Sequence, residues 1–341
     1  MDEAAISRIA AWLCCVLAAR AVRLSDWCRL TGGAIQQNWA VSVAVEGGDW
    51  AGEHAWVLRR DSAGKLDVSR PRAEEFALLK AAAQAGVTVP RPLFLCADDS
   101  VIGGPFFLMA RIEGVTQAHR IVRSETLGGG RTPLAAALGR ELARLHSIRP
   151  PRDDLAFLGG VPTAPAADRA IASLRAALDR QPTARPILEW GLRHLERRAP
   201  PPGDVVLCHN DFRTGNFMVD EAGISGVLDW EFAACGDPHE DIGWLCAPCW
   251  RFGNDAMTVG GIGPFAPFAA AYEAEAGRRI DPAQVAWWAL LATIRWAVIA
   301  TSQAQRHLSG AEASLELALT GHVVPELELD VMRMVREQAY E

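Results

Sequence analysis

No long run of lysine and arginine occurs in this 341-residue chain, whose net charge is −7 with a pI near 5.7. Nucleic acid and anionic membrane are therefore poor partners, and an anionic substrate would need a local basic site. No cysteine framework is present either. The 8 cysteines are scattered, most of them inside apolar segments, which is the pattern of reduced, buried thiols. Cys246 and Cys249 form a C-x-x-C, but no second pair stands at zinc spacing, and Pro248 and Trp250 beside them suit packing. With no H-E-x-x-H and no zinc-finger pattern, a transition metal is not indicated. "GIGPFA" from Gly261 matches a dinucleotide fingerprint only formally, since no strand precedes it and Pro264 sits inside it, so it reads as a loop. No uninterrupted apolar run long enough to span a membrane is present either. "AAISRIAAWLCCVLAAR" follows Asp2 and Glu3 and contains Arg8, so it reads as an amphipathic helix and not as a leader. "VAWWALLATIRWAVIA" carries Arg295 near its centre and reads as a buried core helix. A cytoplasmic location with no membrane partner is expected.

What is present is a large apolar complement, 50% of residues, enough for two lobes. After the first helix, "DWCRL", "NWAVSVAV" and "HAWVLRR" alternate as strands, with glycine turns at Gly32–Gly33 and Gly47–Gly48, predicting an antiparallel meander. "SRPRAEEFALLKAAAQAG" predicts a helix, with Pro71 near its start and Gly86 ending it. Strands return in "RPLFLCA" and "PFFLMARI", around the turn "DDSVIGG". Residues 1–112 thus form an antiparallel five-stranded lobe with one helix inserted after the third strand. Residues 113–341 form a mainly helical lobe, beginning with a stripe of Leu134, Leu138, Leu142 and Leu145. The fold class is α+β. One stretch breaks the helical run: "VVLCHN", then "NFMVD" and "ISGVLDW" as short strands with a turn at Glu221 to Gly223.

That stretch holds a polar knot, His209-Asn210-Asp211, followed by Asn216 and, after the hairpin, by Leu228-Asp229-Trp230. The H-x-D-x-x-x-x-N spacing meets a particular chemical need. Phosphoryl transfer from ATP requires a carboxylate to orient the acceptor hydroxyl, and an Asn and a second Asp to hold Mg²⁺ against the phosphates.

With "LTGG", "WVLRR", "AEEFALL", "FFLMARIEG", "HNDFRTGN" and "LDWE" in this order, the chain resembles the aminoglycoside phosphotransferase and choline kinase-like family, relatives of the protein kinases, over nearly its whole length. The continuation "CGDPHEDIGWLCAPCWRFGN" is similar to a bacterial subgroup whose acceptor is generally not established. The resemblance implies a protein-kinase-like two-lobe fold, ATP and Mg²⁺ as cofactors and a small-molecule hydroxyl acceptor. It implies Asp211 as the catalytic carboxylate and Asn216 and Asp229 as Mg²⁺ ligands. Arg213 takes the place where protein kinases carry a Lys, and a cation there neutralises charge on the transferred group. For the nucleotide it implies Gly32 and Gly33 in the covering turn and Met109, Ala110 and Arg111 at the hinge. Where a third-strand Lys is usual, this chain has Arg59 and Arg60, and the nearest Lys is Lys65. Strand alternation lets only one Arg face the nucleotide, and alignment with the family picks Arg59, partnered by Glu75 with Glu74 as fallback. His209 is expected to orient the loop, and Asp237 and Asp241 to cap the next helix or hold the loop. The acceptor stays open. Glu231, Asp237, Glu240, Asp241 and Asp255 would suit a polycationic aminoglycoside, whereas "GWLCAPCWRFG" with Arg251 would suit a hydroxy-acid or its thioester. The alternative to an enzyme is a catalytically silent nucleotide-binding module, prompted by the missing Lys.

Overall fold

A computed structural model describes residues 1–30, 36–61 and 70–339. Its packing divides them into two units, one of Met1–Glu113 with Ser225–Phe232, the other of Gly114–Ile224 with Ala233–Glu341.

In the first unit, α1 (Glu3–Val16) starts where the Asp2 carboxylate accepts the Ala5 N–H at 2.7 Å, and it buries Ala5, Ile9 and Leu13, four residues apart. Then come β1 (Ala21–Leu30), β2 (Gln36–Glu46), β3 (Gly52–Asp61), α2 (Arg72–Gln84), β4 (Pro92–Cys96), a one-turn helix α3 (Asp99–Ile102) and β5 (Phe106–Ala110). The strands form one antiparallel sheet in the order β1-β2-β3-β5-β4, with α2 inserted after the third strand as expected. The segment read as a plain turn contains α3. Asp98 caps it by accepting the Ser100 N–H at 2.9 Å, and Gly103 at φ 80° ends it.

The sheet has two differently used faces. Val41, Val43 and Val45 of β2, Trp56 and Leu58 of β3, and Phe106 and Leu108 of β5 pack with Ile9 and Leu13 of α1. Alternation sends the intervening residues the other way. Phe107, the register partner of Arg59, meets Phe76 of α2 with ring centroids 5.7 Å apart. Arg59 therefore lies on the α2 face, and Arg60, half-buried, on the opposite one.

The second unit holds α4 (Ala118–Arg123), α5 (Arg131–Leu145), α6 (Ala166–Asp179), α7 (Pro186–Arg197), β6 (Val206–Cys208) and β7 (Phe217–Val219). β8 (Ile224–Val227) starts here and runs into the segment grouped with the first unit. Back in the second unit follow β9 (Ala234–Gly236), α8 (Pro238–Cys246), α9 (Phe265–Ala276), α10 (Pro282–Leu308), α11 (Leu315–Gly321) and α12 (Val324–Ala339). The leucine stripe of α5 is buried throughout. α10 is long and apolar enough to cross a membrane, and 72% of its apolar window is buried in the protein. Its Trp288, Leu290 and Ile294 pack among Leu188, Leu192 and Leu195 of α7 and Val331 and Val335 of α12. β6 pairs antiparallel with β9, Leu207 opposite Cys235, so the strand leading into His209 and the strand leading into α8 are fixed side by side.

Candidate active site

The loop after β6 is pinned by side chains from α8. Asp237 caps that helix, accepting the His239 N–H at 2.8 Å. Asp241, fully buried, accepts the main-chain N–H groups of His209 and Asn210, each at 2.7 Å. Both roles expected for this pair, helix cap and loop anchor, are present, one on each residue. His146 supports Asp241 from behind, its Nε2 3.2 Å from Oδ2 and its Nδ1 2.8 Å from the Tyr272 hydroxyl. A carboxylate can only accept, so Nε2 carries the proton. Nδ1 then accepts from Tyr272, because burial lowers the pKa of His146 and keeps the ring neutral. His209 is buried and its Nδ1 accepts the Asp211 N–H at 3.2 Å, an orienting role.

Held this way, the loop turns through Asn210 at φ 62° and Gly215 at φ 108°. A Cβ on Gly215 would approach Arg213 Nη1 to 3.0 Å, so glycine there leaves room for the guanidinium. Arg213 Nε donates to Asp211 Oδ1 at 2.9 Å, and Arg213 Cζ lies 4.5 Å from the centre of the Trp250 ring. The Asn216 amide nitrogen donates to Asp211 twice, to the main-chain oxygen at 3.0 Å and to Oδ2. Its Oδ1 has no partner among the described residues. Trp244 of α8, which the sequence reading did not single out, donates its indole N–H to Asp211 Oδ1 at 3.0 Å. The sequence reading had it only within the run "GWLCAPCWRFG", on the side of the acceptor, and nothing in the sequence points its N–H at Asp211.

In the first unit, Arg59 is 4% exposed and occupied on all sides. Nε donates to Glu75 Oε2 at 3.1 Å, Nη2 stands 2.9 Å from Glu75 Oε1, and Nη1 donates to Asn38 Oδ1 at 3.3 Å. Asp229 follows β8 with a left-handed backbone, φ 59°, which brings its Oδ1 to 3.1 Å from Arg59 Nη2. Nη2 thus stands between two carboxylates, in close ion pairs with both. The fallback Glu74 instead pairs with Arg70 at 3.0 Å. Arg72, also missed in the sequence, is fully buried. It binds Glu75 through Nη1 and Asp61 through Nε at 2.8 Å.

At the end of β5, the Ala110 N–H donates to Arg91 O at 2.9 Å and the Arg111 N–H to Ala55 O at 3.0 Å. Met109 and Ala110 are half-buried, and Arg111 is exposed, its side chain reaching Glu113 at 3.3 Å. The next N–H, that of Ile112, is without a partner among the described residues, a donor that a motif-level reading does not resolve. Gly32, Gly33 and Lys65 lie outside the described residues.

The donor chemistry fits Mg²⁺. A hard cation wants oxygen ligands. Asn216 offers an amide oxygen, its nitrogen being fixed on Asp211, and Asp229 offers a carboxylate whose side chain is 35% exposed. Cys246 and Cys249 are free thiols, and burial raises Cys246 to about 12.

Residues 26–288 match the model of the phosphotransferase enzyme family, APH. Among solved structures, a Ralstonia eutropha chain described as a presumed aminoglycoside phosphotransferase superposes with a TM-score of 0.72 at 22% identity, covering 97% of this chain and 98% of that one. A complex of aminoglycoside phosphotransferase APH(4)-Ia with AMP-PNP and hygromycin B gives 0.62 at 16%, covering 97% and 99%. At these identities the likeness is one of fold, and that fold is the protein-kinase-like one. Acyl-CoA dehydrogenase family member 10 of Mus musculus is 34% identical over 200 residues, 56% of this chain. Member 11 of Gallus gallus is 32% identical over 209 residues, 57% of this chain. The matched parts span 18% and 25% of those two relatives.

Proposed function

The chain belongs to the phosphotransferase enzyme family, and from that premise we propose that it transfers the γ-phosphoryl group of ATP, with Mg²⁺, to a hydroxyl of a small molecule. The observation that carries this reading is the state of Asp211. Its carboxylate is fixed by three side-chain donors, beside a cation and an amide oxygen, on a loop whose backbone is itself tied to a buried Asp. Such a group orients an acceptor hydroxyl and holds the proton released as the new P–O bond forms. Arg213 neutralises charge on the transferred phosphoryl. Arg59 is the phosphate anchor in place of the usual Lys. Its place beside Asp229, the expected Mg²⁺ ligand, supports this assignment. Asn216 and Asp229 would hold Mg²⁺, which when bound supplies positive charge against the phosphate oxygens.

The acceptor is a hydroxy-acid or its thioester. Three observations favour it over an aminoglycoside. Asp237 and Asp241 are engaged as helix cap and loop anchor, and Glu231 is buried in the unit that holds Arg72, so these acids do not form a pocket for a polycation. Trp244, Trp250 and Trp296 pack at tilted angles in one aromatic cluster beside Arg213. The matched relatives are named as acyl-CoA dehydrogenase family members. Arg251 donates to Cys246 O at 2.7 and 3.2 Å, which engages two of its nitrogens.

The test is ATP consumption over a panel of hydroxy-acids, hydroxyacyl thioesters and aminoglycosides. Wild type is expected to form a phosphorylated hydroxy-acid or thioester. Asp211→Asn should bind ATP normally and turn over at least about 10³-fold more slowly. Mg²⁺-dependent stabilisation by ATP with no turnover on any acceptor would establish the silent module instead. An active Asp211→Asn would remove the carboxylate from the mechanism.

A further inference from the structure

We infer that Trp244 is a positioning residue for Asp211. Its indole N–H, with Arg295 against the ring face, decides which lone pair of the carboxylate is left for the acceptor hydroxyl. The inference rests on the functional reading of Asp211 given above.

A carboxylate offers about four acceptor directions, two on each oxygen. Oδ1 receives Arg213 Nε at 2.9 Å and Trp244 Nε1 at 3.0 Å, which occupies both of its directions. Oδ2 receives the Asn216 amide, which leaves one direction open. The hydroxyl therefore has a single place to bind. The three donors are not equivalent. Arg213 and Asn216 also face the demands of a phosphoryl group and a metal ion, and a guanidinium drawn towards phosphate weakens its bond to Oδ1. Trp244 faces neither of these demands and has little freedom. It is 3% exposed, in the last turn of α8, with Trp250 tilted against it at 5.2 Å. It holds Oδ1 whenever Arg213 moves.

Two features of the surroundings reinforce this. Arg295 of α10 lies with Cζ 4.5 Å from the centre of the Trp244 ring. A cation on the π face draws electron density from the indole and makes its N–H a stronger donor. Asp241 and Trp244 stand three residues apart, on one face of α8. One face of that helix thus fixes the loop twice, at the main chain of His209 and Asn210 through Asp241 and at the side chain of Asp211 through Trp244. On another side of α8, Gly243 lets α10 approach so closely that a Cβ would come within 2.4 Å of Trp288 Cβ, which sets the helix's distance from Arg295.

Two measurements test the inference. In ¹⁵N-labelled protein, the indole N–H resonance of Trp244, assigned by its loss in Trp244→Phe, should move strongly in Asp211→Ala. If it does not move, the contact is absent in solution and the inference falls. In Mg²⁺-ATP hydrolysis, with water as acceptor, Trp244→Phe and a variant with benzothienylalanine at position 244 should lower kcat by roughly 10- to 100-fold, the worth of a hydrogen bond to a charged group, with KM for ATP unchanged. The benzothienyl side chain keeps the shape of the ring and its contact with Arg295 and lacks only the donor. An undiminished kcat in that variant, beside an inactive Asp211→Asn, overturns the positioning role. If Asp211→Asn itself hydrolyses ATP like wild type, the functional reading fails instead.

Discussion

Glu75 is the anion for two buried cations, and its removal should be more damaging than the removal of either. Arg59 reaches it at 2.9 and 3.1 Å and Arg72 through Nη1, and the side chains of both arginines are no more than 5% exposed. Burial, together with the neighbouring charge of Arg59, lowers Arg72 to about 10, with Asp61 and Glu231 opposing. Glu75→Gln leaves two guanidiniums facing each other, with Asp61 on one and Asp229 on the other. Breaking a buried pair from one side costs about 3–5 kcal/mol. Arg59→Ala is milder, because Glu75 keeps Arg72. The loss is then close to that of charge-assisted hydrogen bonds, about 1.5–3 kcal/mol. Glu75→Gln should therefore be the less stable variant by about 2 kcal/mol, a large share of a typical 5–15 kcal/mol. Urea unfolding without nucleotide measures it, with the slope m checked for constancy. Nucleotide binding should rank the other way. Arg59→Ala should lose most stabilisation by Mg²⁺-ATP, Arg59→Lys should keep part of it, since one ammonium cannot match a fork that spans Glu75 and Asn38, and Arg60→Ala should be mild. Equal or reversed stabilities of Glu75→Gln and Arg59→Ala would refute the reasoning, because Arg72 would then not be compensating Glu75.

Gly243→Ala should lower stability by about 1–3 kcal/mol, because the added Cβ meets Trp288 and Ala289 backbone atoms at 2.6–2.8 Å, and backbone cannot step aside as a side chain end can. An unchanged thermal midpoint would show the α8–α10 spacing to be loosely set. Glu240→Gln should stabilise the protein at pH 8 and have no effect near pH 4.5. Burial raises this carboxyl to about 7, with Arg295 opposing, while the unfolded chain titrates near 4.5. The native state therefore keeps the proton longer, the ionised form costs stability in full above pH 7, and the cost fades as pH falls to 4.5. A variant-minus-wild-type melting difference that is flat with pH would contradict this.

The sequence by itself determined whatever depends on neighbours along the chain. Alternation in β3 allows one of Arg59 and Arg60 to face α2, and the loop spacing puts Asp211, Arg213 and Asn216 on one turn, where Arg213 and Asn216 both reach the same carboxylate. Helical period marked Leu134, Leu138, Leu142 and Leu145 as one buried stripe. Tertiary structure decided what depends on the rotation and approach of separate elements. It put Asp229 beside Arg59, in a segment that a linear division of the chain assigns to the helical part. It gave Glu75 a second partner in Arg72 and divided Asp237 and Asp241 into cap and anchor. It turned one tryptophan of an apolar helix towards Asp211. A hydrogen bond needs its donor placed to within a few tenths of an ångström. Hydrophobic patterning fixes which face of α8 is inward, and only the packing of that helix against α10 fixes where on that face the Trp244 N–H points.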